Sequence, residues 1–227
     1  MQLLSKQPLL FEPGSKLAYG LNTDLLGYLV EVVSGRSLDQ YFFEEIFEPL
    51  QMHDSHFYLP RDKADRLVTL YADEGGGLVV SQGDESDIVL DDPLYPITGA
   101  QSYFSGGAGL SSTAHDYARF LQMMLNGGEL DGVRIISRKS VELMRTARFD
   151  WDDDQVPDMS LGFAVVSDLG KKGELGSVGS FSWGGAFYTS FWVDPSENLI
   201  GVFMSQVYPA DSDISEKFNM LVYQALR

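Results

Sequence analysis

The sequence predicts a mixed α/β fold in which an antiparallel sheet late in the chain is covered by helices on both faces. Three observations carry this. Apolar residues recur at helical spacing through the early part of the chain, a strand-turn-strand pattern surrounds Asp194-Pro195-Ser196-Glu197-Asn198, and a second helical period closes the chain at Ile214, Phe218, Leu221, Val222 and Ala225. With 227 residues, 44% of them hydrophobic, the chain can bury a large core. Residues 1–227 read as one domain, mostly helix and loop over about 10–160 and sheet strands with a last helix over about 161–227.

Element by element, an extended approach after Pro13-Gly14 reaches Asn22 or Thr23, either of which can cap a helix carrying Leu25, Leu26, Leu29, Val30 and Val33 on one face and ending at Gly35. Ser37 and Gln40 have the spacing of a capping box for a second helix through Tyr41, Phe42, Ile46 and Leu50, which Pro49 closes. From Ala72 to Pro96 the chain is acidic and glycine-rich without helical period, so a long loop or short irregular hairpin is expected, of the kind that can border a binding site. Gly106-Gly107-Ala108-Gly109 then reads as a close-packed turn before a helix with Tyr117, Phe120, Leu121 and Met124 on one stripe; it lacks the lysine of a phosphate loop and the spacing of a dinucleotide fingerprint. Strands are expected near Leu161–Val166 and Ser177–Tyr188, followed by a hairpin of Ser190–Val193 with Leu199–Met204. The last of these is apolar on both sides, as in a sheet covered by helices on either side.

Charge narrows the partners. The 33 acidic against 16 basic residues give a net charge of −17, which repels nucleic-acid phosphates and disfavours an anionic membrane surface. No apolar run reaches the length of a membrane span, and the first residues do not read as a secretion signal; the compartment stays open, with the cytoplasm as the default. Without cysteine there is no thiolate chemistry. No cofactor and no metal is expected: His53 and His56 flank Asp54 but no third ligand is evident, His115 reads as a surface residue, and the acidic runs at Asp91-Asp92 and Asp152-Asp153-Asp154 read as solvated loops.

The run Phe11-Glu12-Pro13-Gly14-Ser15-Lys16-Leu17-Ala18-Tyr19-Gly20-Leu21-Asn22 through Gly27, and Gly107-Ala108-Gly109-Leu110-Ser111-Ser112-Thr113-Ala114-His115-Asp116, resemble the serine β-lactamase-like superfamily of class C β-lactamases, penicillin-binding proteins and family VIII carboxylesterases. The resemblance extends from about Leu10 to the C-terminus. It implies an acyl-enzyme mechanism in which a serine of a Ser-x-x-Lys motif attacks the acyl carbonyl. It makes Tyr19 the general base, the backbone N–H of Ala186 an oxyanion donor, and Trp183, Gly184, Gly185 and Leu21 the substrate-lining residues. From spacing alone Tyr19 would be a packing tyrosine, and an unperturbed phenol, titrating near ~10, is a poor base without a neighbouring cation.

No serine of this chain has a lysine three positions later. Two substitutes fail on context. Ser182, in Ser180-Phe181-Ser182-Trp183-Gly184, has strand on both sides where a nucleophile elbow needs a strand-to-helix turn, and Ser111 precedes a helix that it, Ser112 or Thr113 caps. The expected architecture therefore lacks the family's N-terminal strands and nucleophile helix, leaving the Leu199–Met204 strand with a bare edge. Leu21 in place of the asparagine of Tyr-x-Asn, and Trp183-Gly184-Gly185 in place of Lys-Thr-Gly, resemble family VIII esterases more than lactamases. The function implied is the C-terminal part of a serine hydrolase, ester-cleaving when whole and inactive alone. A small ester or amide would be its substrate, and an N-terminal half or a second copy at the sheet edge its partner. The alternatives are a non-catalytic binding module on the same scaffold and a β-lactamase.

Overall fold

The computed structural model describes residues 4–15, 17–83, 92–149 and 158–227. Its helices are α1 (Asn22–Ser34), α2 (Leu38–Phe42, running into a π-helical turn at Phe43–Phe47), α3 (Tyr95–Thr98), α4 (Ala114–Leu125), α5 (Arg138–Met144), α6 (Leu169–Lys172) and α7 (Ile214–Ala225). Its strands are β1 (Tyr71–Asp73), β2 (Leu78–Val80), β3 (Glu129–Leu130), β4 (Val133–Arg134), β5 (Asp158–Met159), β6 (Ala164–Val165), β7 (Phe181–Gly185), β8 (Thr189–Asp194) and β9 (Leu199–Phe203). Among the described residues no helix is long and apolar enough to cross a membrane.

β5 to β9 form a five-stranded sheet in sequence order, every pair antiparallel, so the mixed α/β architecture expected from the sequence is what the chain adopts. The β8–β9 hairpin turns at the expected residues, with Asp194 facing Leu199 in the register. Buried Asp194 fixes that turn: its Oδ1 accepts the amides of Ser196 (2.9 Å) and Glu197 (3.2 Å). Successive strand residues face opposite sides. Phe191 packs on Tyr117 of α4, while Trp192 packs on Phe218 and Tyr223 of α7, so the two helices cover opposite faces. Gly201 of β9 makes room for this, since a Cβ there would lie 2.2 Å from the Trp192 ring. On the α4 face, Phe181, Phe191 and Val193 of the sheet join Leu121, Met123, Met124, Phe47 and Leu50 in the main core.

Several local expectations need correction. Neither Asn22 nor Thr23 caps α1: the helix begins at Asn22 itself behind Leu21, and Asn22 Nδ2 donates back to the Ala18 carbonyl at 3.3 Å. The Ser37–Gln40 capping box does not form: Ser37 makes no side-chain cap bond and the Gln40 side chain donates to Glu44 (2.9 Å), while the neighbouring Leu38 amide is taken by Glu31 Oε1 (3.0 Å). Of the three candidates before α4, Thr113 is the cap, accepting the Asp116 amide at 3.2 Å. The segment from Ala72 to Pro96 takes the hairpin alternative over its first part, where β1, from Tyr71, pairs with β2, and it enters α3 at its end; residues 84–91, with Asp152-Asp153-Asp154, lie outside the described residues.

The larger difference concerns which way two apolar faces point. At about 100° per residue, Leu21, Leu25, Leu26, Leu29, Val32 and Val33 share one arc of α1, and all are exposed, Val33 by 79%. The opposite arc, which packs inward, carries Asp24, Gly27 and Glu31. In α7 Ile214 and Leu221 are likewise exposed, while Phe218 packs on Trp192 and Phe203 and Ser215, Asn219, Val222 and Tyr223 turn inward. Beyond β9, the last strand of the sheet, no strand pairs among the described residues.

Candidate active site

Tyr19 stands in the extended segment just before α1, 66% exposed, with its ring centroid 5.8 Å from that of Trp183 on β7 and the planes at 36°. The first segment of the chain and the third strand of the sheet, remote in sequence, thus meet at this pair. Trp183 faces Phe191 across the ladder and packs on the core, so the sheet fixes it and it in turn backs Tyr19. Leu21, two residues on, is exposed beside the helix start. After Trp183 the strand runs out to exposed Gly184, Gly185 and Ala186, and the chain turns back through Tyr188, whose φ of 59° closes the tight loop to Thr189. Gly185 has a reason of its own to lack a side chain, because a Cβ would lie 2.4 Å from Thr189 Oγ1.

What holds α1 in place was not apparent from the sequence. Asp24 Oδ1 accepts the hydroxyls of Tyr103 (2.7 Å) and Ser105 (2.6 Å). Burial alone would raise the Asp24 pKa, but these two hydroxyls and the Gly107 amide outweigh it and hold the carboxyl below its ordinary value. Gly106 lies against the same turn, where a Cβ would come 2.3 Å from the Thr23 carbonyl oxygen, so the glycine-rich segment is the close-packed turn expected. A helical wheel marks Asp24 as opposite the apolar stripe; nothing in the sequence marks its partners eighty residues away. Tyr58 extends the cluster, donating to the Tyr103 carbonyl (2.9 Å) and lying 3.0 Å from the Tyr95 hydroxyl, whose pKa is pushed up to about 12 by burial and by Tyr58.

The β1–β2 hairpin reaches this region from the other side. Tyr71 pairs with the segment after β9, accepting the Tyr208 amide at 2.8 Å, and Val207 in turn donates to the Phe187 carbonyl at 3.3 Å in the loop after Ala186. The start of the β1–β2 hairpin is thus tied to the β7–β8 turn through Val207 and Tyr208.

The remaining candidates sit elsewhere. Ser182 precedes Trp183 in β7, so its side chain points to the opposite face of the sheet from the Tyr19 contact. Ser111 pairs with His56 in an isolated bridge. His56 Nε2 is 3.3 Å from Lys63 Nζ, which also bonds Asp54 (2.8 Å) and the His53 carbonyl, so an ammonium fills the space between these residues. Arg66 forks onto Asp54 at 2.6 and 2.8 Å, and the two cations hold that carboxyl far below the usual range. Among the described residues no group of histidines and carboxylates could hold a metal. His115 is exposed, as expected, with Nδ1 3.5 Å from Asp116. A separate cleft of about 400 Å³ between α5 and the β8–β9 turn, lined by Glu142, Arg145, Val178 and Pro195, contains none of the residues above.

Residues 1–224 match the family model described as Beta-lactamase. An uncharacterized protein of Mycobacterium tuberculosis is 35% identical over 223 residues, 91% of this chain and 52% of its own. The lovastatin esterase of Penicillium rubens is 28% identical over 231 residues, 91% of this chain and 55% of its own. Among solved structures, EstCE1, a hydrolase with promiscuous acyltransferase activity, superposes with a TM-score of 0.82 at 26% identity, covering 99% of this chain and 59% of EstCE1. The chain thus spans about half the length of the curated relatives it matches.

Proposed function

Because the chain belongs to the beta-lactamase family, we propose that it forms the proton-accepting wall of a serine acyl hydrolase that cleaves carboxylic esters, with the attacking serine supplied by residues outside it. The observation that carries this reading is the Tyr19–Trp183 pair beside the exposed Gly184–Ala186 backbone. Such a wall offers a phenol oxygen to receive a serine proton, a main-chain N–H at Ala186 to meet a developing oxyanion, and two glycines that leave that main chain open.

With the lysine ammonium of the completing Ser-x-x-Lys segment beside it, Tyr19 acts as a phenolate: it takes the proton of the attacking hydroxyl as the acyl–oxygen bond forms and gives it to the alkoxide that leaves as the ester C–O bond breaks. A second donor, the amide of the serine itself, completes the oxyanion hole only when the other part is in place, so this chain alone does not turn over substrate. Ester over lactam is favoured by apolar Leu21 and Trp183, which stand where lactam-orienting polar groups would be, and by the esterase and hydrolase names among the relatives.

The isolated chain is expected to show no hydrolysis of p-nitrophenyl butyrate or nitrocefin above background and no adduct with a fluorophosphonate probe by mass spectrometry. Turnover by the isolated chain that disappears in Tyr19→Phe would refute its inactivity. The bare apolar face of α1 also favours a second reading, a non-catalytic module that uses the scaffold to bind a partner. The two part on whether a complex that contains a Ser-x-x-Lys segment labels with the probe.

A further inference from the structure

We propose that Ser205 is a positioning residue for acyl transfer: through the carbonyls of Phe187 and Tyr188, its hydroxyl holds the turn that aims the Ala186 N–H at the substrate. The inference rests on the reading of that N–H as an oxyanion donor.

Such a donor is effective only if it already points to where charge develops. The Ala186 N–H belongs to the same planar peptide unit as the Gly185 carbonyl, and in a trans unit the two point in opposite directions. The Gly185 carbonyl turns into the loop, where it accepts the Tyr188 amide at 3.1 Å. The Ala186 N–H therefore turns out of the loop, on an exposed residue, and has no acceptor among the described residues. Gly184 and Gly185 restrain this peptide unit little, since neither has a side chain. Its direction is set by what keeps Tyr188 in place.

Tyr188 needs holding. Gly185 faces Thr189 in the β7–β8 register, so Ala186, Phe187 and Tyr188 make a three-residue loop whose last residue lies in the left-handed region, a place usually filled by glycine or asparagine. A tyrosine with a φ of 59° sits there at a steric cost, and such a conformation persists where its surroundings fix it from several sides. Two clamps do so. At the side-chain end, the phenol hydroxyl donates to the Ser212 carbonyl (2.6 Å) and accepts the Ser215 amide (3.1 Å), tying the ring to the start of α7. At the main-chain end, the register that pairs Ser190 with Phe203 runs on to set Ser205 opposite Tyr188. Ser205 Oγ donates to the Tyr188 carbonyl at 2.8 Å and to the Phe187 carbonyl at 3.1 Å. The Phe187 carbonyl also receives the Val207 amide, whereas the Tyr188 carbonyl has no other donor among the described residues.

Nitrogen relaxation of the isotope-labelled chain reads the effect at the amide itself. The Ala186 N–H is expected to be as ordered as the strands beside it, with an order parameter of about 0.85, and to fall below about 0.6 in Ser205→Ala. Ser205→Thr keeps the hydroxyl and is expected to restore the order. Ser205→Cys, similar in size but a weak donor, is expected to behave as the alanine variant and decides the matter if that variant does not fold. A serine that only supports the fold would lower the urea midpoint and leave the Ala186 amide rigid. That result overturns the proposal, as does an Ala186 amide already mobile in the wild type, or one loosened by threonine as much as by alanine. The hydrolase reading is judged separately, by fluorophosphonate labelling of a complex that contains a Ser-x-x-Lys segment. Absence of labelling sinks that reading and leaves the clamp standing; an Ala186 amide that keeps its order in the alanine and cysteine variants sinks the clamp and leaves that reading standing.

Discussion

Asp24 shows how one buried carboxylate can set the position of a residue it never touches. Tyr19 packs on the Trp183 ring and stands three residues before α1, so its place depends on where α1 begins, and that is set by Asp24 and the Gly106 contact. Asp24→Ala leaves two hydroxyls without their acceptor and is expected to cost about 1–3 kcal/mol in urea unfolding. Gly106→Ala pushes a methyl group onto the Thr23 carbonyl and is expected to cost about 1–3 kcal/mol by the same measurement. His56 gives the chain a pH dependence on its acid side. Burial, then the Lys63 ammonium, lower its pKa, against the smaller opposing pull of the His53 carbonyl, Asp54 and Asp116. Its contribution is therefore full above the ordinary histidine value of 6.5 and is lost as pH falls from there towards the depressed folded value, because the unfolded chain binds the proton first. His56→Gln is expected to flatten the fall in urea midpoint over that window.

At the scale of elements, period and turn chemistry were legible and orientation was not. The β8–β9 hairpin could be read because Pro195 and Asn198 punctuate two apolar runs, and α4 because its stripe and its glycine stop agree. The apolar period of α1 was equally plain, but a period does not say which arc of the helix faces the sheet, and here it is the arc of Asp24, Gly27 and Glu31. The capping box at Ser37 was misread because its glutamine has another partner, Gln40 donating along the helix to Glu44. Thr113, where no competitor intervenes, behaves as its type predicts, and Thr113→Ala is expected to cost about 1 kcal/mol in thermal or urea unfolding. As for the site, the resemblance gave Tyr19 and Trp183 separately; their contact, and the hold of Asp24 on the helix between them, required residues far apart in sequence to be placed together.

At the scale of the whole molecule the two faces of the sheet are covered unequally. The α4 face is closed over a core of Phe, Leu, Met and Val side chains, whereas α1 and α7 expose aliphatic residues and, among the described residues, no strand pairs with the outer edge of β9. Such a molecule is expected to bind the dye ANS while natively folded, with the enhancement falling several-fold in the Leu25→Glu, Leu29→Glu variant and its near-ultraviolet circular dichroism unchanged.

Asp194 adds an order of events. Its second carboxylate oxygen accepts the hydroxyl of Tyr223 at 2.8 Å, in the final turn of α7. The turn that this carboxylate also fixes closes between neighbouring residues, whereas its bond to Tyr223 spans 29 positions of sequence. Until α7 docks, Trp192 has no lid and the carboxylate has no phenol, so that face of the sheet meets solvent and any apolar surface that reaches it first.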